Sequence, residues 1–250
     1  MSDTYANVDA ASEVEEAIAW QERIDQWPSV VAYKKRMDDL SRGFTPIIDV
    51  GAGPGLDAAR VGALAVDLSW AMARRGHQRG VRYVVGDLRN LPLADSRAGC
   101  LRCDRVLQHL DDPHTAVISM TQCIRPGGRF VVCDPDQQTL SISVPGAPSE
   151  LVERVRRLRR DVGYRSGTYV SALPGWLHEL GFTDVSVDAF PLILRDPHDA
   201  FGIATWVRYW ADCHGFTRSE SELWERAIAS SGREGFAYAV SYFVVSATHP

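Results

Sequence analysis

IIDVGAGPG, residues 47–55, joins an apolar run to an acidic residue and three glycines separated by single residues. The β-branched run from Ile47 to Val50 lacks polar alternation, which is the pattern of a parallel strand covered on both faces. Gly51, Gly53 and Gly55 then allow a tight turn whose backbone approaches a ligand closely, because no Cβ blocks the approach or forbids positive φ. A glycine turn of this kind serves several nucleotide-type cofactors. The dinucleotide pattern G-x-G-x-x-G needs a glycine where this chain has Leu56, and no lysine follows to make a phosphate-cradling loop.

Working outward, a second strand is predicted at Ala63–Val66, ending at Asp67 in AVDLSWAM. A third, Val81–Val85, ends in Gly86-Asp87-Leu88, and a fourth around Cys100–Cys103 leads into DRVLQHLDDP. Arg125-Pro126-Gly127-Gly128 turns into a fifth strand at Arg129–Cys133. This ordered series (IIDVGAGPG, AVDLS, GDLRNLPL, RVLQHL, RPGGRFVV) resembles the class I S-adenosylmethionine-dependent methyltransferases. Within them it is similar to the small-molecule subgroup that includes ubiquinone and menaquinone biosynthesis C-methyltransferases. The resemblance covers residues 44–136 strongly and the remainder loosely.

The resemblance implies an α/β fold: a Rossmann-like, seven-stranded, mostly parallel sheet with helices on both faces. Residues 1–43 would form an N-terminal helical lid, and residues 44–250 the methyltransferase domain, with 195–235 inserted between strands six and seven as a substrate cap. The implied cofactor is S-adenosyl-L-methionine, with S-adenosyl-L-homocysteine as product. Asp49 would shape the glycine loop or bind the cofactor's amino group, and Gly51, Ala52 and Gly53 would line it. Asp67 matches the acidic residue that accepts bonds from both ribose hydroxyls. Leu68 and Met72 would flank the adenine, Asp87 would take its amino group with the Leu88 backbone alongside, and Cys103 would complete the cofactor set.

Methyl transfer asks the protein to align the acceptor and exclude water, and, for an acceptor that loses a proton, to supply a base. His109 is the first candidate, because QHL follows the fourth strand and imidazole titrates near neutrality. His114, Tyr164, His198 and His214 rank behind it. Asp134-Pro135-Asp136 supplies two carboxylates after the fifth strand, but its flanks do not resemble magnesium-dependent catechol-type enzymes, and no metal is expected. Two competing readings keep the fold: a cyclase that uses the cofactor as scaffold, and an inactive cofactor-binding partner protein.

Composition agrees with one sizeable core: 250 residues, 45% apolar. A formal charge of −5 argues against a nucleic-acid partner. No basic-then-apolar leader and no spanning apolar run is seen, so no membrane partner and a reduced, cytoplasmic setting are expected. The expected partner is a small-molecule acceptor, and the family leaves room for a homodimer. Cys100, Cys103, Cys123 and Cys133 read as core thiols, strand alternation sending Cys100 and Cys103 to opposite faces.

Ser12-Glu13-Val14-Glu15 has the form of a capping box, with Ala17, Trp20, Ile24 and Trp27 at helical spacing behind it, and a second helix is expected over Ser29–Leu40. Asp134–Pro148 reads as a loop. Ser149 is expected to cap a helix with Leu151, Val152, Val155, Leu158 and Val162 inward and Arg156, Arg157, Arg159 and Arg160 mostly on a solvated outer face. LPGWLHELGF (173–182) reads as a helix closed by Gly181, followed by strands at Val185–Leu194 and Ala237–Ala247. Two places depart from the family pattern. Only about a dozen residues separate Gly55 from Asp67, which calls for a stub helix or an early strand, and Gly99 stands where an acidic residue is frequent. Arg102 falls within a buried strand and requires a partner.

Overall fold

The computed structural model describes Asp9 and residues 14–250; Ser12 and Glu13, and with them the expected capping box, lie outside the described residues. Strands β1 (Ile47–Val50), β2 (Leu64–Asp67), β3 (Arg82–Val85), β4 (Ala98–Asp104), β5 (Ile124–Ser143), β6 (Thr183–Leu194) and β7 (Ala237–Thr248) form one sheet in the order β3-β2-β1-β4-β5-β7-β6. Only β7 runs against its neighbours. The order reverses between β1 and β4, the switch point at whose carboxyl side open α/β sheets bind ligands.

Strand alternation divides the core in two. Cys100, Val131, Cys133 and Val244 pack on one face, and Leu101, Cys103, Val132 and Val245 on the other, so Cys100 and Cys103 do point apart. The first face carries α2 (Pro28–Ser41), α6 (Ser149–Val162) and the pair α8 (Trp206–His214) and α9 (Arg218–Gly235). The second carries α5 (Pro113–Gln122) and α7 (Leu173–Glu179). Helix α1 (Val14–Ile24) lays Ala17 and Ile18 on Met72 of α4 (Trp70–Gln78), so the N-terminal arm crosses above the carboxyl edge of the sheet. Trp27 lies just beyond α1, at the N-cap of α2.

The short β1–β2 connection is met by α3 (Leu56–Val61), a six-residue stub. Gly99 has a packing reason: a Cβ there would run into the Thr45 carbonyl, where the chain enters β1. The tyrosine of α2, Tyr33, is fully buried and stacks on Tyr242 at 5.1 Å. α9 starts with a true capping box, Thr217 accepting from the Glu220 N–H while Glu220 accepts from the Thr217 N–H. It is broken at Gly232, whose φ is +55°.

Three sequence expectations are corrected. Asp134–Ser143 is strand, not loop: β7 is long enough to pair with it from Asp134↔Phe243 to Ser143↔Ala237, with an irregularity between Asp136 and Ser141. A partner strand thus overrides a local preference for turns. Ser149 does not cap α6; Pro148 occupies the N-cap and makes no side-chain bond. The basic run on α6 is not uniformly solvated, because Arg159 is only 2% exposed, its stem falling on the same side as Val155.

Arg102 also finds its partner. Its guanidinium is fully buried and donates to Asp38 of α2 at 2.6 Å, and its strand position sits opposite Asp49. In the same way Asp134 is committed inside the fold. It accepts from the Tyr169 hydroxyl at 2.6 Å and from Leu107 N at 3.1 Å, while its Oδ1 has no hydrogen-bond partner.

Burial pushes the Asp134 carboxyl up to about 8, with Asp104 adding to the rise and the Tyr169 and Leu107 bonds opposing it. Between the ordinary carboxylate range and about pH 8 the folded protein therefore holds a proton that the unfolded chain has lost, and stability falls as pH rises through that window. The one-proton slope is about 1.4 kcal/mol per pH unit. Urea unfolding of the protein and of Asp134→Asn at pH 5, 6 and 7 should show their stability difference shrinking, then inverting, along that slope. A pH-independent difference would remove Asp134 as a protonated group.

Candidate active site

A cavity of about 820 Å³ opens at the carboxyl ends of β1, β2 and β4. Its floor at one end is the glycine loop. Gly51 and Gly53 have φ of +69° and +53°, and a Cβ on Gly51 would run into the Val106 side chain, so the loop keeps its shape only with glycine there. Gly53 is held from both sides: its N–H donates to Asp67 Oδ2 at 2.8 Å and its carbonyl accepts from the Tyr83 hydroxyl. The other Asp67 oxygen accepts from Ser69 N at 2.9 Å. Burial raises the Asp67 carboxyl above its ordinary range against the pull of these backbone bonds.

Asp49, Gly51, Ala52, Gly53, Asp67, Leu68, Met72, Asp87 and Leu88 all line this one cavity. Cys103 does not; it is fully buried in the core among Val50, Leu101 and Val132, because alternation along β4 turns it into the sheet's packed face. Asp49 is pushed up to about 7 by burial, with Arg102 pulling the other way. Asp87 pairs with its neighbour Arg89, which lowers its carboxyl below the usual range. Of the candidate bases, His109, Tyr164 and His198 line the cavity, and His109 meets the Tyr164 ring edge-on at 5.5 Å. His114 packs instead on Trp176, and His214 closes α8.

The sequence reading missed several groups that shape the site. Lys34 of α2 reaches the cavity and places Nζ 2.6 Å from Asp25, 2.7 Å from Asp57 and 3.5 Å from Asp104. Arg105, in a left-handed conformation directly after β4, binds Asp25 and Asp104. Asp9 closes the N-terminus of α4, accepting from Ser69 Oγ, Trp70 N and Ala71 N. No local motif announces these groups, since each partner comes from a different element.

At the far end the walls are aromatic. Trp20, Phe201, Tyr164 and Tyr242 line the cavity, and Phe201 meets Trp20 and Trp27 edge-on at 6.2 and 6.0 Å. The tryptophans of the 195–235 segment, Trp206, Trp210 and Trp224, are packed inside the first core face.

The residues present fit the cofactor that the sequence resemblance implies. Each Asp67 oxygen uses one acceptor site on a backbone N–H, which leaves lone pairs for two hydroxyls. Leu68 and Met72 supply an apolar slot beside it, and the glycine loop leaves backbone open on the other side.

Residues 48–132 match a methyltransferase domain family. An uncharacterized 37.1 kDa protein in transposon Tn4556 of Streptomyces fradiae is 28% identical over 204 residues, which cover 76% of this chain and 59% of that protein. The demethylmenaquinone methyltransferase of Mycobacterium marinum is 30% identical over 129 residues, covering 50% of this chain and 56% of the enzyme. The chain thus matches somewhat over half the length of these curated relatives. Among solved structures, YcgJ of Bacillus subtilis aligns with a TM-score of 0.60 at 16% identity, over 88% of this chain and 98% of that one. Geranyl diphosphate C-methyltransferase of Streptomyces coelicolor, in complex with Mg²⁺, geranyl diphosphate and S-adenosyl-L-homocysteine, aligns with a TM-score of 0.51 at 18% identity, over 96% and 85%. Residues 48–132 thus carry a methyltransferase domain match, set in a sheet with the fold of the solved methyltransferase that aligns over 96% of the chain.

Proposed function

We propose that the protein transfers the methyl group of S-adenosylmethionine to oxygen or carbon of a mid-sized, partly apolar small molecule. The observation that carries this reading is that one cavity joins the glycine loop and Asp67 to an aromatic chamber containing His109 and Tyr164. Relatives named for demethylmenaquinone and geranyl diphosphate support an acceptor of that size and polarity. The cofactor supplies an electrophilic methyl on a sulfonium, so the chain's task is positional.

In this reading Asp67 and the glycine loop fix one end of the donor. Trp20, Gln21 and Ile24 of α1 roof the cavity, as a lid would, and His198, Phe201 and Gly202 close it from the segment between β6 and β7. These walls hold the acceptor in line and keep water out, which can contribute several kcal/mol of rate acceleration. With the donor bound, the chain would hold the acceptor's oxygen or carbon in line with the methyl, and a ring nitrogen of His109 would take up the acceptor's proton. Among the described residues no helix is long and apolar enough to cross a membrane.

The test is incubation with methyl-deuterated S-adenosylmethionine and a panel of phenolic, polyketide-like and isoprenoid-quinone precursors, read by product mass and S-adenosylhomocysteine release. A labelled methyl on the product is expected, and His109→Ala should lower kcat by about 10²–10⁴-fold with cofactor affinity unchanged. Product of unaltered methyl count would favour a cyclase, and full turnover by His109→Ala would remove it as the base.

A further inference from the structure

Five cationic side chains line the cavity, and four of them are paired with carboxylates: Lys34 with Asp25 and Asp57, Arg89 with Asp87, Arg105 with Asp25 and Asp104, and Arg165 with Asp111. The fifth, Arg159, has no carboxylate within salt-bridge distance among the described residues. It is also the one whose burial makes a counter-charge most needed, being 2% exposed.

Its surroundings offset only part of that cost. The guanidinium sits 4.3 Å from the centre of the Tyr164 ring and 4.4 Å from that of Trp206, a double cation–π arrangement. Nη2 donates to the Tyr164 hydroxyl at 2.7 Å, while Nε and Nη1 have no hydrogen-bond partner. A buried, permanently charged guanidinium without an anion costs several kcal/mol, so its retention on a cavity wall calls for a counter-charge from elsewhere. Tyr164, accepting from Arg159, has its own hydroxyl proton left to donate. A cation and a polarised hydroxyl donor are therefore placed together on the wall that also carries His109.

We propose that Arg159 and Tyr164 form an oxyanion subsite, and that the acceptor is an aromatic or similarly apolar molecule bearing a negatively charged oxygen group. This deepens the reading of the cavity as an acceptor pocket and rests on it. The apolar body lies against Trp20 and Phe201, and the charged oxygen is held by the Tyr164 O–H and the Arg159 charge behind it. Charge-assisted bonds of this kind are the strong ones in a site of low polarity.

The experiment compares two fluorescent probes with the same anilinonaphthalene body, one carrying a sulfonate (anilinonaphthalene sulfonate) and one neutral (phenylnaphthylamine), titrated into the protein with saturating S-adenosylhomocysteine. The sulfonate should bind at least about 10-fold more tightly, a preference of the size one charge-assisted bond confers. Arg159→Met should remove that preference and leave the neutral probe's affinity as it was. Tyr164→Phe, which keeps the ring and deletes only the hydroxyl, should narrow it. Equal binding of the two probes by the intact protein, no saturable sulfonate binding, or a preference unchanged in Tyr164→Phe and in folded Arg159→Met would overturn the subsite. Calorimetry with S-adenosylhomocysteine alone tests the cofactor reading separately, since its loss in the intact protein leaves the probe comparison readable.

Discussion

Asp67→Ala is expected to weaken S-adenosylhomocysteine binding by about 100-fold or more, because one carboxylate serves two roles at the donor end of the cavity. It is the residue that would accept the ribose hydroxyls, and each hydrogen bond to a charged group is worth about 1.5–3 kcal/mol. It also holds the loop: Oδ2 accepts from Gly53 N at 2.8 Å and Oδ1 from Ser69 N at 2.9 Å, so alanine releases both the glycine turn and the entry to α4. Asp67→Asn keeps one acceptor oxygen and should fall between the two. Calorimetric titration of the three proteins measures this, with circular dichroism to verify the fold. An alanine variant that binds within about threefold of the parent would place the ribose elsewhere and return the cofactor assignment to fold-level similarity.

The second large effect is on stability. Lys34→Met keeps the side chain's length and removes the charge that three carboxylates share. Asp25 lies between α1 and α2, Asp57 in α3 and Asp104 at the end of β4, so a single ammonium ties the N-terminal arm to the sheet. Burial opposes the charge on Lys34, yet Asp57 and Asp104 raise its pKa above the ordinary value. Burial likewise works against Asp57, whose carboxyl is nevertheless held well below the usual range by Lys34 and Arg60. Breaking a buried pair by removing one partner costs about 3–5 kcal/mol, since the other charge is left uncompensated.

Removing the lysine removes the charge that lowers the Asp57 and Asp25 carboxyls, so the loss should be largest near pH 8 and smaller near pH 5, where they can take up protons. Urea unfolding at both values reads it directly. A loss below about 1 kcal/mol at pH 8 would mean that Arg105 and Arg60 alone satisfy the cluster.

That the glycine loop and the strand-end acidic residues converge on one cavity was legible in the sequence. The motifs sit within single strand-to-turn units, where local chemistry is sufficient: Asp49 and the glycines follow β1, Asp67 follows β2, and Asp87 follows β3, and all of them reach the same cavity. The short span between Gly55 and Asp67 called for a stub helix or an early strand, and the structure takes the first of these. Cys103 stands apart from the other residues named, and the reason is equally local. Period-two alternation along β4 turns its thiol into the core, away from the cavity.

The aromatic end of the cavity was legible only in part: His109, Tyr164 and His198 were named in advance, but the charges around them are defined by pairings between distant segments. Arg159 belongs to a run of four arginines whose sequence reads as a solvated helix face; only the packing of α6 against Trp206 shows that one of the four is buried and, among the described residues, has no carboxylate within salt-bridge distance. Arg102 and Lys34 likewise acquire meaning from Asp38, Asp25, Asp57 and Asp104. Asp134–Ser143 carries turn-forming residues, and its strand exists because β7 pairs with it.

The sequence by itself therefore determined the sheet's parallel half, the glycine loop and the acidic residues at its strand ends, because backbone conformation and side-chain periodicity are short-range properties. The tertiary structure alone decided which charges are matched, which aromatic residues face the cavity and where an unmatched cation lies, because electrostatic compensation and burial depend on residues that the chain brings together from far apart.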